Sequence, residues 1–98
     1  PILHVIGVGR NYAEHAKEQG AAVPDRPMLF TKNLASLALA GQDVVIPRAC
    51  QDRPQVDFEA ELGVVIGRRP DGSLVRDVSP DEALGCVLAY CCANDVSA

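Results

Sequence analysis

The sequence has 98 residues, 48% hydrophobic and 22% charged, with a formal net charge of −4. This composition excludes an intrinsically disordered chain and leaves room for one small domain, which at this length buries only about 60–65% of its unfolded surface. Nine Lys and Arg against thirteen Asp and Glu argue against nucleic acid and against anionic membrane surfaces as partners.

The first segment, Ile2 to Gly9, reads as a buried strand ending in glycines, with His4 as a structural residue on it. A Gly-x-Gly after a strand suggests a dinucleotide loop, but Tyr12 stands where the third glycine belongs, so that reading fails on its own motif. A helix follows from about Tyr12 to Gln19, with Asn11 as cap, Glu14 as the capping-box acid and Gly20 as its C-terminal stop. Pro24 and Pro27 bracket a loop, and Met28 to Lys32 is a strand. Asn33 to Gly41 fits no single class. Asp43 to Pro47 reads as a short strand closed by proline, and Arg48 to Gln55 as an exposed loop.

Val56 to Ile66 is the strongest strand pattern in the chain. Pro70-Asp71-Gly72 is a turn, because proline presets φ and glycine accepts a positive one. Ser79-Pro80-Asp81-Glu82 has the cap, the first-turn proline and the capping-box acid of a helix start, and Gly85 keeps that helix short. Cys86 to Asn94 reads as a last apolar strand that delivers Asp95 at its end. The whole is a strand-rich α+β chain with two short helices. The longest uncharged runs, Asn33 to Gln42 and Ala83 to Asn94, are shorter than the ~20 residues that span a bilayer. No basic stretch followed by an apolar one opens the chain, so no signal peptide is expected.

Four cysteines are present, none in Cys-x-x-Cys spacing, and adjacent Cys91 and Cys92 point to opposite faces of a strand. They read as buried thiols kept reduced.

Alternation along Val56 to Leu62 places Asp57, Glu59 and Glu61 on one face and Phe58, Ala60 and Leu62 on the other. Three like charges so close repel unless water or a cation neutralises them. Two readings stand: a solvated strand face, or a site for a hard divalent ion, to which Asp95 could add a third carboxylate. Asp95 is equally a turn or cap residue. On the first helix His15 and Glu18 lie three apart and share a face, so Glu18 could orient His15 as a general base; a surface helix with incidental charges explains the same spacing. Arg10 and Lys32 are either binders of a substrate carboxylate or ordinary surface charges.

Taken together, Gly9-Arg10-Asn11-Tyr12-Ala13-Glu14-His15-Ala16-Lys17-Glu18, Leu29-Phe30-Thr31-Lys32, Asp57-Phe58-Glu59-Ala60-Glu61-Leu62-Gly63-Val64-Val65-Ile66-Gly67 and Ala93-Asn94-Asp95-Val96-Ser97-Ala98 resemble, in order and spacing, the fumarylacetoacetate hydrolase family, in particular its short acylpyruvase-like and oxaloacetate-decarboxylase-like members. The resemblance covers nearly the whole chain. It implies a mixed β-sandwich roll, with Glu59, Glu61 and Asp95 as ligands of Mg²⁺ (or Mn²⁺ or Ca²⁺), and does not extend to Asp57 as a ligand. It implies His15 and Glu18 as the pair that activates water, and Lys32 close to the active site; Arg10 is expected at the substrate only from its place after the glycine turn. The expected activity is hydrolysis of a C–C bond in a 1,3-dicarbonyl such as an acylpyruvate; the alternative is decarboxylation or isomerisation of a 2-oxo acid such as oxaloacetate. An interaction fragment without activity is the expectation of a different class. The family continues with an Arg-Asp pair and a later catalytic lysine, so residues 1–98 are expected to be the N-terminal portion of one catalytic domain. The full-length protein is expected to be a homodimer, cytoplasmic or mitochondrial, acting on a small molecule and neither nucleic acid nor membrane.

Overall fold

The computed structural model describes residues 2–12, 17, 18, 20, 22 and 24–98. The chain divides into two units, Pro1–Val44 and Val45–Ala98, each taken here by itself.

In the first unit β1 (Val5–Gly9) pairs antiparallel with β2 (Met28–Lys32), in a register that runs from Val5 opposite Lys32 to Gly9 opposite Met28. The β-branched Val5, Ile6 and Val8 suit a pleated ribbon, and the strand ends as Arg10 enters the left-handed region at φ 53°. The strand is shorter than Ile2 to Gly9. Ile2, Leu3 and His4 precede it and are exposed, and within it half-buried and exposed residues alternate, so it is not a buried strand and His4 packs in no core. Of the expected first helix, Lys17 and Glu18 are helical. Gly20 ends it as expected, at φ 65° with its N–H on the Lys17 carbonyl at 2.9 Å. Glu14 and His15 lie outside the described residues.

After β2 the chain makes a 3-10 turn over Leu34–Ser36, capped by Asn33, whose Oδ1 accepts from the Ala35 N–H at 2.9 Å. That local bond accounts for a segment with no clear periodicity. Asp43 to Pro47 is not a strand: among the described residues it has no ladder partner, and Val44, Val45 and Ile46 are exposed. Apolar, β-branched residues alone do not make a strand without an edge to pair with.

In the second unit β3 (Ala60–Ile66) pairs antiparallel with β4 (Val87–Asn94), from Ala60 opposite Asn94 to Ile66 opposite Val87, with a bulge between Val65 and Ile66. The expected strand from Val56 is interrupted: Asp57 bridges Ser97, and regular pairing resumes only at Ala60. Between β3 and β4, Gly72 at φ 85° closes the turn with its N–H on the Arg69 carbonyl at 2.8 Å. A one-turn helix, Pro80–Ala83, opens at Ser79, whose N–H and Oγ–H both donate to Glu82 Oε2 at 3.3 and 2.9 Å. It passes into a 3-10 turn, Leu84–Cys86, at the expected Gly85.

The β3–β4 ribbon has an inverted burial pattern. Leu62, Val64 and Ile66 are exposed while Glu61, Gly63 and Val65, which alternate with them, are half-buried. Tyr90 and Cys92, across from Val64 and Leu62, extend the open apolar face. Among the described residues Cys86 is the one buried hydrophobic, at 3% exposure. The four thiols are free, but Cys91 and Cys92 are exposed and Cys50 is half-buried, so the reading of all four as buried holds for Cys86 alone. The chain is strand-rich with few helices, as expected; among the described residues the strands form two two-stranded antiparallel sheets. Among the described residues no helix is long and apolar enough to cross a membrane.

Candidate functional site

The carboxylates of the second unit are placed by its ladder. Ala60 faces Asn94 and Glu61 faces Ala93, so the pairing continues to Glu59 opposite Asp95, where the Asp95 N–H donates to the Glu59 carbonyl at 2.9 Å. Two residues further on, Asp57 and Ser97 exchange both main-chain bonds, at 2.9 and 3.1 Å. Side chains of facing residues lie on the same side of a sheet, and alternate residues of one strand do too. The backbone therefore gives Glu59, Glu61 and Asp95 one common face, together with Asp57. Facing Glu61, Ala93 presents only a methyl group. Glu61 and Asp95 are half-buried, whereas Glu59 and Asp57 are exposed.

The donor set is chemically suited to a hard divalent ion, being all carboxylate oxygen. The side chains are not drawn together: among the described residues no three His, Cys, Asp or Glu are gathered tightly enough to hold an ion. Asp57 has a local partner of its own, its Oδ1 accepting the N–H of Phe58 at 2.8 Å.

In the first unit Lys32 closes β2, half-buried, with its Nζ 5.3 Å from the centroid of the Phe30 ring. A cation over an aromatic face is held by the ring quadrupole. The ring in turn occupies the place that a side chain on Gly7 would take. Arg10 is exposed and lines a hollow of about 200 Å³ with Asn11, Asp25 and Arg26. Glu18 is helical and exposed, and His15 is outside the described residues, so the His15–Glu18 pair has no geometry to report.

Two residues enter that sequence reasoning passed over. Arg26 shares the hollow with Arg10, and Asn94 accepts the Glu59 N–H on its Oδ1 at 3.2 Å. No local spacing signals either, because each acts across the chain rather than along it.

Comparison with known proteins gives the family. Residues 4–98 match the model for the fumarylacetoacetate (FAA) hydrolase C-terminal domain. The chain is 42% identical over 96 residues to a 2,4-didehydro-3-deoxy-L-rhamnonate hydrolase of Sphingomonas sp. (strain SKA58), covering 98% of this chain and 31% of that protein. It is 38% identical over 94 residues to a mitochondrial oxaloacetate tautomerase of Caenorhabditis elegans, covering 96% and 40%. A putative hydrolase of Burkholderia cenocepacia is 41% identical over 92 residues, covering 94% and 30%. The chain thus spans about a third of the length of these relatives. No solved structure matches it significantly. With a family model matching residues 4–98, this chain belongs to the fumarylacetoacetate hydrolase family.

Proposed function

We propose that the protein to which these residues belong cleaves a C–C bond in a small 1,3-dicarbonyl acid of the acylpyruvate type, and that Glu59, Glu61 and Asp95 hold a divalent ion, Mg²⁺ in the first place. The observation that carries this reading is the main-chain bond from Asp95 to Glu59, which sets the third carboxylate of the motif across the ladder from the first. The hydrolase name of the Sphingomonas relative supports the reaction class.

Bound there, the ion would supply a Lewis acid that polarises the substrate carbonyl and stabilises the charge left on the departing carbon. The rest falls to side chains of this chain. Glu18 orients the imidazole of His15 and raises its basicity, and His15 takes a proton from water as that water attacks the distal carbonyl. Lys32 and Arg10 hold the substrate carboxylate as fixed cations. The C–C bond then breaks, giving a carboxylic acid and a 2-oxo acid once the enolate carbon is protonated.

The oxaloacetate tautomerase name of the Caenorhabditis relative favours a second reading, enolisation of oxaloacetate. It shares the carboxylate face but needs no attacking water. Turnover of acetylpyruvate and of oxaloacetate by the full-length protein and its His15→Asn variant separates the two. Hydrolysis of acetylpyruvate lost by a factor of about 10²–10⁴ in His15→Asn, the usual worth of a general base, supports hydrolysis. Oxaloacetate turned over equally by both proteins, with acetylpyruvate untouched, supports the second reading.

A further inference from the structure

We infer that Asn94 is a positioning residue for the carboxylate site, its side-chain amide setting the spacing of Glu59 and Asp95 by taking the place of a main-chain acceptor in the ladder. The inference rests on the reading of Glu59, Glu61 and Asp95 as ion ligands.

In an antiparallel pair, facing residues alternate between those that exchange both N–H···O bonds and those that exchange none. Asp57 and Ser97 exchange both. Two residues along, Glu59 and Asp95 are due to do the same, and half of that exchange is present: the Asp95 N–H reaches the Glu59 carbonyl at 2.9 Å. The other half is diverted. The Glu59 N–H donates at 3.2 Å to Oδ1 of Asn94, the residue before Asp95. Consecutive residues of one strand therefore hold the two main-chain polar groups of Glu59, one through its backbone and one through its side chain. Regular pairing stops at Ala60–Asn94 for this reason, and the strand that the sequence suggests from Val56 is broken here. Asn competes well with ladder bonds because its amide oxygen mimics a peptide carbonyl.

The diversion has a chemical use. A regular bonded pair fixes facing α-carbons about 5.5 Å apart and sets like charges directly against each other, which destabilises the sheet. With one bond moved to a side chain, Glu59 and Asp95 are held by a single main-chain bond instead of two, a looser constraint on their spacing. Carboxylate oxygens can then close on an ion at the 2.0–2.6 Å distances typical of Mg²⁺ and Ca²⁺. Remove the Asn94 amide, and the Glu59 N–H returns to the Asp95 carbonyl and the pairing becomes regular.

The test is Mn²⁺ affinity, read by water-proton relaxation on the full chain, for wild type, Asn94→Ala, Asn94→Asp and Glu59→Gln. The expected result is a roughly 10–100-fold loss in Asn94→Ala, the usual cost of losing an outer hydrogen-bond partner. Asn94→Asp keeps an oxygen acceptor at the same reach and restores affinity to within about threefold, a rescue that general weakening of the fold does not produce. Should Asn94→Ala fail to fold, Asn94→Ser, too short to reach the Glu59 N–H, replaces it and is expected to show the same loss. Affinity unchanged in the Asn94 variants but lost in Glu59→Gln overturns the role of Asn94 and leaves the ion site standing. Affinity unchanged in Glu59→Gln overturns both.

Discussion

The ring of Phe30 lies across the α-carbon of Gly7, in the volume that a side chain at position 7 would fill. The two residues face each other in the β1–β2 ladder, and the same ring carries the Lys32 ammonium 5.3 Å from its centroid. Glycine at position 7 is thus a packing requirement with a consequence for a proposed substrate-binding residue. Gly7→Ala is expected to push the ring aside, with a loss of stability of about 1–3 kcal/mol for the overpacking. Proton NMR checks it: the Phe30 ring shifts and the Lys32 Hε shifts, which feel the ring current, move together. A variant in which the Lys32 resonances stay put contradicts the arrangement.

Acid should loosen the start of the helix Pro80–Ala83. The Glu82 carboxyl is held below its ordinary value of 4.5, first by the Ser79 hydroxyl, then by the Ser79 N–H and the Arg69 guanidinium. Arg69 Nη1 lies 3.7 Å from Glu82 Oε1. A carboxyl whose folded pKa is lowered stabilises the folded state fully above the unfolded value, and that contribution fades as the pH falls through the lowered folded one. Amide exchange at Ser79 is expected to be pH-corrected and constant from pH 7 to about 5, then to rise below the 4.5 of an ordinary glutamate. Glu82→Gln should abolish the rise. An unchanged profile in Glu82→Gln contradicts the assignment of the cap.

The open face of β3–β4 makes a prediction about surface behaviour. Leu62 and Val64, at 61% and 46% exposure, gain little from packing within this chain. Val64→Thr is expected to change stability by no more than about 0.5 kcal/mol, as at other exposed positions. Binding of a dye such as ANS should fall in the same variant, because the apolar patch is interrupted. A stability loss above about 1.5 kcal/mol would show that Val64 is part of a packed core.

Elements whose stability is local were legible in the sequence. The Ser79-Pro80-Asp81-Glu82 start, the Pro70-Asp71-Gly72 turn and the Gly20 stop each depend on residues within a few positions, and each is found as read. The strands Met28–Lys32 and Val87–Asn94 were legible, the second from its apolar run. Asp43 to Pro47 carries a similar run and is no strand, because a strand needs a neighbouring edge that spacing cannot reveal. Burial was the least legible property. The alternation of β3 named its two faces correctly, yet the apolar one is open and the one bearing Glu61 half-covered. The carboxylate face follows from period-two spacing within β3, whereas the facing of Glu59 and Asp95 depends on a register between residues far apart in the chain. The Asn94 bond to Glu59 is non-local in the same way and had no signal to find it by.

The central claim is that Glu59, Glu61 and Asp95 form one ion site, and calorimetric titration of Mg²⁺ into the chain tests it most directly. Oxalate should be present as a stand-in for the enolate of a 2-oxo acid, with Glu59→Gln run alongside. The account predicts saturable binding of one ion per chain that strengthens with oxalate and weakens in Glu59→Gln by at least the 10–100-fold typical of a lost outer partner. Equal binding by wild type and Glu59→Gln, or none by a folded wild-type chain, contradicts it.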